Sequence, residues 1–555
     1  MTDKMERIKK IILAFAAVFC LLTGVVTMGL HDTKTGYAAE IVSGVSRVSA
    51  RGVWHRPDDT GNEKNVKGVS DFLDKLQRAG INLVFLETFY HGMAMYRSRF
   101  VPYYTKFQSY DYGEYPDYLT CFLEEAKKRD IEVHAWVEDF YIGIEENYFT
   151  KNLPEWILVT DKGSTRNTEG GGFIFLDPAN EEVKKYLINF YDELLTKFPD
   201  IKGLNLDYIR YPVSEQNDDT GYTKTAISAF CKERGISGNF SASEFAFNVN
   251  KNGLYKAWVD FRAGHVTEFV KRVFETVRKN HKGRLVSTAI FPEPENAYNT
   301  KKQDFLTWIN RGYIDIVTPM AYYNNPAQLK NALNLMGKGC EKCFCYAGLA
   351  ATYHNLSDAE VLKQLNVAEE TGMDGFVFFG AKSLVSNPSY VELLNGQFSG
   401  VSSVTPHSEV KKLYRAIVTP LTDYLKTSGE DAEKVNALEN ALTPLYNCNE
   451  YDVNSLSEGI KALRLTVKYN LNEYVSPTNI TATKRCLEDL LRFTSIKLER
   501  LKVTRDDVKP DPSDSGSESG SESNGGCSKG CSGVDLSALC LVFVALSATI
   551  VLKKR

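Results

Sequence analysis

GLNLDYIRYP, residues 203–212, begins as a buried β-strand and ends in a cluster of polar groups. Small and apolar residues lead into Asp207, and Tyr208, Arg210 and Tyr211 follow directly. A strand interior gains nothing from burying a carboxylate and a guanidinium three positions apart, because buried charges are costly unless they are compensated. The stretch therefore predicts a strand that ends near Asp207 and a loop that presents these polar groups.

Seven other short apolar stretches also read as buried strands. A segment with helical spacing follows each of the eight. Strands that alternate with helices pair in parallel and have both faces covered. Eight such units over residues 50–397 predict an α/β fold, a (β/α)₈ TIM barrel. An open doubly wound sheet is the alternative, but no Gly-rich phosphate turn follows the first strand. The predicted strands are RGVWH (51–55), INLVFLET (81–88), EVHAWVE (132–138), GLNLDYI (203–209), RLVSTAI (284–290), DIVTPMAYY (315–323), KCFCYAGLA (342–350) and GFVFFGA (375–381).

The chain after the barrel changes composition twice. Residues 405–505 show helical patterns without strands, which predicts a small all-α bundle that serves as a spacer or binds a protein partner. Residues 506–533 are rich in Ser, Gly and Glu, and such a segment has too little apolar surface to form a packed core. We therefore expect the bundle to be followed by a disordered linker.

Both ends of the chain carry apolar runs beside cations. Basic residues precede an apolar run at 11–30 and small residues follow it, which is the order of a secretory signal over residues 1–39; an uncleaved anchor is the alternative. Residues 534–555 hold a charge-free apolar run that ends in three cations, as in a transmembrane helix. The sequence thus predicts a protein that is exported and anchored to the outer face of the cytoplasmic membrane, at the bacterial cell surface.

Charge and cysteine content exclude other classes. The formal net charge of −4 argues against nucleic acid as a partner, since such proteins normally present a basic face. Cys340, Cys343 and Cys345 form a close trio without a fourth ligand, so buried thiols or a local disulfide are favoured over zinc. We expect neither a metal nor a cofactor.

The ends of the predicted strands carry carboxylates among aromatic rings. In (β/α)₈ barrels the chemistry gathers at the C-terminal ends of the strands. Sugars offer apolar ring faces and hydroxyls to such a surface, and cleavage of a glycosidic bond needs two carboxyl groups. The candidate residues are Trp54, His55, Glu87, Trp136, Glu138, Asp139, Asp207, Tyr208, Arg210, Tyr211, Glu293 and Tyr322, with Gln303, Asp304 and Trp308 beyond the fifth strand.

Asp207 and a second carboxyl group form the predicted catalytic pair. Strand seven carries no acid, and strand five is a neighbour of strand four, so either Glu293 or Glu295 could face Asp207 across a sugar ring. Glu138 on strand three is the other candidate. Each of these residues could instead have a purely structural role. Asp207 could serve solely to neutralise Arg210, Glu293 could lie in a rigid proline-flanked turn, and Glu138 could cap a loop.

Six motifs lie along the predicted barrel: RGVW (51–54), HAW (134–136), LDPANEEVKKYL (176–187), GLNLDYIRYP (203–212), QDFLTW (303–308) and DIVTPMAYY (315–323). Together they resemble the glycosyl hydrolase-like ten family of secreted bacterial barrels. The resemblance implies a (β/α)₈ fold and glycoside hydrolase activity, with Asp207 at the acid of the family's D-x-x-R-Y-P motif. The family often has Asn-Pro after HAW, where this chain has Val137, Glu138 and Asp139, so the resemblance assigns no acid/base.

The sequence therefore predicts a surface-anchored glycoside hydrolase that acts on a polysaccharide or a cell-wall glycan. Asp207 is expected to be the nucleophile or to stabilise an oxocarbenium-like transition state, with Arg210 keeping it ionised. Glu293 is the expected general acid and Glu138 its alternative. The other strand-end residues would bind the glycan, and Gln303, Asp304, Trp308 and Tyr322 would position it. The alternative function is a non-catalytic glycan-binding surface protein that uses the same cleft.

Overall fold

In the computed structural model, which describes residues 48–212, 218–336 and 341–503, eight parallel strands close into a barrel. The barrel closes because the first strand pairs with both the second and the last. The strands are β1, Ala50–His55; β2, Leu83–Tyr90; β3, Glu132–Glu138; β4, Gly203–Asp207; β5, Leu285–Ile290; β6, Ile316–Pro319; β7, Phe344–Leu349; and β8, Gly375–Phe379.

Helices cover the outside of the barrel, and additional helices follow β3 and β4. Those of the barrel segment are α1, Val66–Arg78; α2, Tyr118–Lys127; α3, Tyr148–Asn152; α4, Glu181–Lys197; α5, Lys224–Arg234; α6, Ala242–Lys251; α7, Tyr255–Asn280; α8, Pro294–Lys301; α9, Phe305–Asn310; α10, Pro326–Asn334; α11, Asp358–Glu370; α12, Ala381–Ser386; and α13, Pro388–Phe398. The later helices are α14, Val410–Thr427; α15, Ala432–Asn447; α16, Val453–Leu465; α17, Leu471–Tyr474; and α18, Ile480–Lys502.

Side chains along each strand alternate between the barrel interior and the outer helix layer. Trp54 and Trp136 belong to the interior cluster, whereas Val53 and Val137 pack with the helices. Because side chains in a strand have a period of two, Glu138 faces the interior together with Trp136. The alternation therefore decides which residues at the strand ends can reach the mouth of the barrel, which is the opening at the C-terminal ends of the strands.

The (β/α)₈ prediction is confirmed. β3 has the predicted bounds, and β4 ends at Asp207, where the polar cluster predicted its end, although the apolar run quoted for this strand extends to residue 209. A two-residue strand, Met93–Ala94, pairs antiparallel with the end of β2 and was not predicted. The predicted signal, linker and anchor, at 1–39, 506–533 and 534–555, lie outside the described residues. Within the described ranges, no helix combines the length and the apolar character needed to cross a bilayer.

The five helices α14–α18 pack over the N-terminal end of the barrel. Arg500 of α18 contacts Asp315 before β6 at 2.9 Å, and Arg492 contacts Asp374 before β8 at 2.8 Å. Leucines of the bundle belong to the same buried cluster as the interior residue Phe344. The bundle thus lies at the end of the barrel opposite the C-terminal ends of the strands.

Glu193 on α4 fastens the loop that follows β2. Its carboxylate accepts hydrogen bonds from the hydroxyls of Tyr96 at 3.0 Å and Ser98 at 2.6 Å and from the backbone N–H of Arg99 at 3.1 Å. Burial alone would raise the pKa of Glu193, but these hydrogen bonds outweigh it and lower the pKa to about 2.

Glu193→Gln is expected to reduce the free energy of unfolding by about 2 kcal/mol near pH 7, since hydrogen bonds to a charged group are worth roughly 1.5–3 kcal/mol. The folded pKa lies below the ordinary value of 4.5, so the stabilisation is complete above that pH and is lost as the pH falls toward about 2. Urea unfolding at neutral and acidic pH measures this, with the exposed Glu182→Gln on the same helix as the control. A difference that stayed constant with pH would contradict the assignment.

Candidate active site

Four charged side chains meet at the C-terminal ends of β1 to β4. Arg56, just after β1, donates from Nε to Glu87 Oε2 at 2.7 Å and from Nη2 to Glu87 Oε1 at 3.2 Å. Its Nη2 also lies 3.8 Å from Glu138 Oε1. Asp207 pairs in register with Glu138 on the neighbouring strand, and such strands lie about 4.8 Å apart. Three carboxyl groups therefore share one nearby guanidinium.

Of these three carboxyl groups, only Asp207 is open to solvent. The side chain of Glu87 is fully buried and Glu138 is 1% exposed, whereas Asp207 is partly exposed. Glu138 Oε2 also accepts the backbone N–H of His91 at 2.7 Å. A ligand in the mouth can thus touch Asp207 directly and meets Glu87 and Glu138 only through their neighbours.

Two hydrogen bonds hold the carboxylate of Asp207. The indole Nε1 of Trp136 donates to its Oδ2 at 3.0 Å, and the backbone N–H of Tyr208 donates to its Oδ1 at 2.7 Å. Tyr208 has a φ of +50°, a left-handed conformation that costs a non-glycine residue about 1–3 kcal/mol. The backbone is therefore strained immediately beside the one exposed carboxylate of the cluster.

Burial raises the pKa of all three carboxyl groups. For Asp207, the N–H of Tyr208, the charge of Arg210 and the indole of Trp136 oppose the rise. For Glu138, burial and the charge of Glu87 together raise the pKa well above its usual range. Glu87 has the guanidinium of Arg56 to offset its own rise, so we assign the shared proton of this pair to Glu138. A neutral Glu138 reduces the repulsion on Asp207.

Arg210 contacts a different carboxylate from the one expected. Its Nη1 and Nη2 donate to Glu169 Oε2 and Oε1 at 3.0 and 2.9 Å, and its guanidinium stacks over Tyr208 at 4.9 Å and Phe291 at 5.3 Å. The long loop after β3 brings Glu169 to this position. The charge of Arg210 still lowers the pKa of Asp207 against burial, without a direct ion pair.

Arg210→Met is expected to reduce the free energy of unfolding by about 3 kcal/mol, because it removes the two hydrogen bonds of the guanidinium to the largely buried carboxylate of Glu169. The double variant with Glu169→Gln should recover much of that loss, since it also removes the charge that Arg210 neutralised. Thermal or urea unfolding of the two single variants and the double variant measures the coupling. Additive losses would show that the two side chains act independently.

Glu293 lies on the other side of Asp207, in the loop between β5 and α8. It is partly exposed, and its Oε1 accepts the hydroxyl of Tyr323, which follows β6. Pro294 occupies the first turn of α8, so the backbone at Glu293 is restrained by the helix that begins there. The site thus offers a second carboxyl group with access to solvent, in the loop that follows the strand next to β4.

Aromatic rings form two opposite walls of the mouth. Tyr141 after β3 stacks on Tyr208 after β4 with ring centroids 4.6 Å apart. On the other half of the barrel, Phe379 at the end of β8 stacks on Tyr322 at 5.4 Å and contacts Tyr353 at 5.3 Å. Tyr353 is 55% exposed. Rings that frame a carboxylate in this way suit the apolar faces of sugars.

The floor of the mouth is a hydrogen-bonded layer inside the barrel. Trp54 Nε1 donates to Asn205 Oδ1 at 3.0 Å, and Asn205 Nδ2 donates to Ser287 Oγ at 3.0 Å. Trp54 also meets the ring of Tyr322 edge-on at 6.5 Å. Trp54 therefore supports the aromatic wall from below and is itself buried.

Two predicted residues face away from the mouth because they lie one position past an inward residue. His55 follows Trp54, stacks on Phe72 at 4.1 Å and pairs with Glu63 at 2.8 Å in the helix layer. Asp139 follows Glu138 and accepts the hydroxyl of Tyr191 on α4 at 2.8 Å. Both are fully buried there, so neither side chain is exposed in the mouth.

The predicted positioning residues beyond β5 also lie outside the mouth. Trp308 is buried on α9 and donates from Nε1 to Thr267 on α7 at 2.9 Å. Asp304 caps α9 by accepting the N–H of Thr307. Gln303 accepts the N–H of Phe291 at 2.9 Å and thereby supports the end of β5.

Tyr211 is likewise fully buried. Its N–H donates to the carbonyl of Lys301 at 2.9 Å, and its ring lies 5.8 Å from the guanidinium of Arg262. Since Tyr211 comes four positions after Asp207, the chain has already left the mouth at this point. We interpret Tyr211 as packing the loop.

Several residues of the site were not predicted. Arg56 follows β1 directly, and a cation at a strand end could have indicated a residue of the site. Asn205, a polar residue inside an apolar strand, could have indicated a buried hydrogen bond inside the barrel. The remaining ones carry no periodic signal because they come from loops or from the end of a short strand: His91, Glu169, Tyr353 and Phe379.

Among the described residues, two clusters could offer three ligands to a metal ion, and both lie away from the mouth. In one, Glu132 accepts from His134 at 2.9 Å and from His407 at 2.8 Å where the bundle meets the barrel. In the other, Lys184 on the outer helices already contacts the glutamates. We derive no metal-dependent step from either cluster.

Residues 49–339 match the family described as Glycosyl hydrolase-like 10. Glycosyl hydrolase DigH of Escherichia coli is 26% identical over 266 residues, which cover 46% of this chain and 57% of that protein. Glycosyl hydrolase YngK of Bacillus subtilis is 22% identical over 282 residues, covering 45% and 48%. The crystal structure of a β-galactosidase from Marinomonas ef1 has a TM-score of 0.43 at 10% identity, covering 69% and 61%. The matches span about half the length of the curated relatives.

Proposed function

Because this chain belongs to the glycosyl hydrolase-like 10 family, which matches just over half of its length, we propose that its barrel hydrolyses glycosidic bonds in a polysaccharide or cell-wall glycan. The observation that carries the proposal is the pair of partly exposed carboxyl groups between aromatic walls, Asp207 at the end of β4 and Glu293 in the loop after the neighbouring β5. Glycoside hydrolysis requires two such groups on either side of the scissile bond.

In the proposed mechanism, Asp207 faces the anomeric carbon. Its negative charge stabilises the oxocarbenium-like transition state, directly or as a nucleophile. Trp136 and the N–H of Tyr208 fix the two oxygens, so the carboxylate needs little reorganisation as charge develops. Because Glu138 beside it is neutral, it adds no negative charge that would raise the pKa of Asp207 further, and Asp207 stays ionised.

Glu293 is the proposed general acid. It would give its proton to the glycosidic oxygen while the bond from that oxygen to the anomeric carbon breaks. Water would then add to the anomeric carbon as the new hydroxyl group, and its second proton would return to the carboxylate of Glu293. Glu138 fits this role less well because it is 1% exposed and bound to the N–H of His91. Trp54, Glu87, Trp136 and Arg56 would maintain the shape and charge of the mouth, and Tyr208 and Tyr322 would contact the sugar.

The expected location and partners rest on composition. A signal at 1–39 and an anchor at 534–555 would hold the barrel at the bacterial cell surface, where a wall glycan is the available polymer. The membrane would be contacted only by the C-terminal apolar run. The outward face of α14–α18 is the proposed surface for a protein partner, and nucleic acid is not a proposed partner.

Digestion of wall glycan and of a panel of polysaccharides tests the proposal. Purified protein should create new reducing ends on at least one polymer, at a rate well above the background rate in buffer without protein. Co-sedimentation with a polymer that yields no new reducing ends would instead favour a non-catalytic glycan-binding protein with the same aromatic cleft.

A further inference from the structure

A line of aromatic rings leads out of the mouth over the ends of β6, β7 and β8. Tyr322 after β6 and Phe379 at the end of β8 stack with their ring centroids 5.4 Å apart. The ring of Tyr353, in the loop after β7, lies 5.3 Å from the ring of Phe379, and its plane is tilted by 60°. We call these three residues the aromatic line. Because of the tilt, Tyr353 presents a face that is separate from the stacked pair.

The inner end of the aromatic line lies close to Asp207. Tyr322 meets the ring of Trp54 at 6.5 Å, and Trp54 donates a hydrogen bond to Asn205, which precedes Asp207 by two positions on β4. Burial raises the pKa of the Tyr322 hydroxyl well above its usual range, and the negative charge of Asp207 raises it further. Both observations place Tyr322 beside the proposed reaction centre.

The exposure of the rings increases along the aromatic line. Tyr322 and Phe379 are partly exposed, whereas Tyr353 is 55% exposed. A single exposed ring on a protein surface needs no special explanation. Tyr353 differs from such a ring because it continues a stack that begins in the mouth. The aromatic line therefore extends the ligand-accessible aromatic surface from the reaction centre to the rim of the barrel.

The turn that carries Tyr353 is held by backbone hydrogen bonds. The N–H of His354 donates to the carbonyl of Ala350 at 2.8 Å, and the N–H of Leu356 donates to the carbonyl of Ala351 at 3.1 Å. Both alanines are buried, which fixes the base of the turn. The ring of Tyr353 is thus positioned before a ligand arrives, and this reduces the conformational entropy lost on binding.

Polar side chains flank the exposed ring. His354 and Asn355 are exposed on the same turn, and the ring of His354 lies 5.7 Å from that of Tyr353. Ligand sites combine apolar surface with a few donors and acceptors that fix the orientation of the ligand. The turn therefore offers an apolar face for a pyranose ring together with partners for its hydroxyl groups.

We propose that Tyr353 binds a sugar unit outside the one that reacts at Asp207. This inference rests on the proposed function, since it takes Asp207 as the place of the reaction. The spacing of the rings is close to the length of one pyranose unit, so a chain that leaves the mouth along the aromatic line reaches Tyr353 with a later unit. The preferred substrate is then a glycan that continues past the scissile bond over the ends of β7 and β8.

Tyr353→Ala is expected to raise KM for long glycans about tenfold, which corresponds to ~1.4 kcal/mol of binding. The ring contacts a sugar whose bonds do not change in the reaction, so the loss should appear in KM more than in kcat. The loss should be smaller for glycans that are too short to span from Asp207 to Tyr353. Hydrolysis rates for a size-fractionated series from one accepted polymer measure this dependence on length.

Two variants are matched controls for this substitution. Tyr353→Phe keeps the ring, so its KM for long glycans should stay close to that of the wild type. Tyr469→Ala removes a ring that is 72% exposed on the bundle, at the end of the barrel opposite the mouth, and should not change KM. Equal KM values for Tyr353→Ala and the wild type across the series would overturn the proposal. Equal losses in Tyr353→Phe and Tyr353→Ala would also overturn it, since the hydroxyl would then make the contact.

Equilibrium binding separates this inference from the proposed hydrolysis. Affinity for a long glycan is measured for Asp207→Asn, which leaves the chain intact, with and without Tyr353→Ala. Weaker binding without the ring, together with no hydrolysis by the wild type, would support the sugar contact and contradict the hydrolysis. Hydrolysis by the wild type with equal affinities of the two variants would contradict the sugar contact alone. If the wild type bound none of the glycans, both would be overturned.

Discussion

Asp207→Asn is expected to reduce the rate of glycan hydrolysis by about 10³-fold or more, while glycan binding changes little. Asparagine keeps the size of the side chain, but its one carbonyl oxygen can accept either the indole N–H of Trp136 or the N–H of Tyr208, so the variant loses one of these two hydrogen bonds. It lacks the negative charge that stabilises a developing cation. The loss should therefore appear in kcat, because the interaction is made only in the transition state.

The matched control for this variant lies at the other end of the same strand. Asp200, which precedes β4, is 33% exposed and pairs with Lys127 on the outer surface. Asp200→Asn makes the same chemical change far from the mouth and should leave the rate unchanged. If Asp207→Asn kept most of its activity on a confirmed substrate, β4 would only position the sugar, and Glu138 would become the leading candidate for the chemistry.

Glu293→Gln is expected to slow hydrolysis of natural glycans by about 10²–10⁴-fold, the usual contribution of a general acid. The loss should be much smaller for aryl glycosides with good leaving groups, since these need little protonation when they depart. Rates for a series of leaving groups measure the difference. The hydroxyl of Tyr323 can still donate to the amide oxygen, so the loop should keep its position.

Glu295→Gln is the matched control for the general acid. Glu295 belongs to the same proline-rich loop but is exposed in the first turn of α8. Its substitution should change neither the rate nor the dependence on leaving group. If Glu293→Gln lost the same activity for every leaving group, Glu293 would contact the sugar and would not be the proton donor. Glu138→Gln should then be measured in the same series.

The barrel could be predicted from the sequence because its rule is local and repeated. Each strand is an apolar run followed by a segment with helical spacing. Eight such strand–helix units are enough to close a barrel. The prediction of Asp207 at the end of β4 had the same basis, since the pattern of GLNLD breaks at the first residue that a strand interior cannot bury without compensation.

The details of the site depend on information that local patterns do not contain. A shift of one residue along a strand reverses the direction of a side chain, which separates Glu138 from Asp139 and Trp54 from His55. The partner of Arg210 comes from a long loop, and no spacing in the sequence connects Arg210 to Glu169. Burial, which decides between Glu138 and Glu293, depends on how His91 and Arg56 pack over the cluster.

The central claim is that the mouth hydrolyses a glycan through Asp207. Its most direct test compares new reducing ends formed by wild type and by Asp207→Asn from one glycan that both proteins bind with equal affinity. We predict ready turnover by the wild type and about 10³-fold less by the variant at saturating glycan. Equal turnover by the two proteins, or binding by the wild type without any new reducing ends, would contradict the claim.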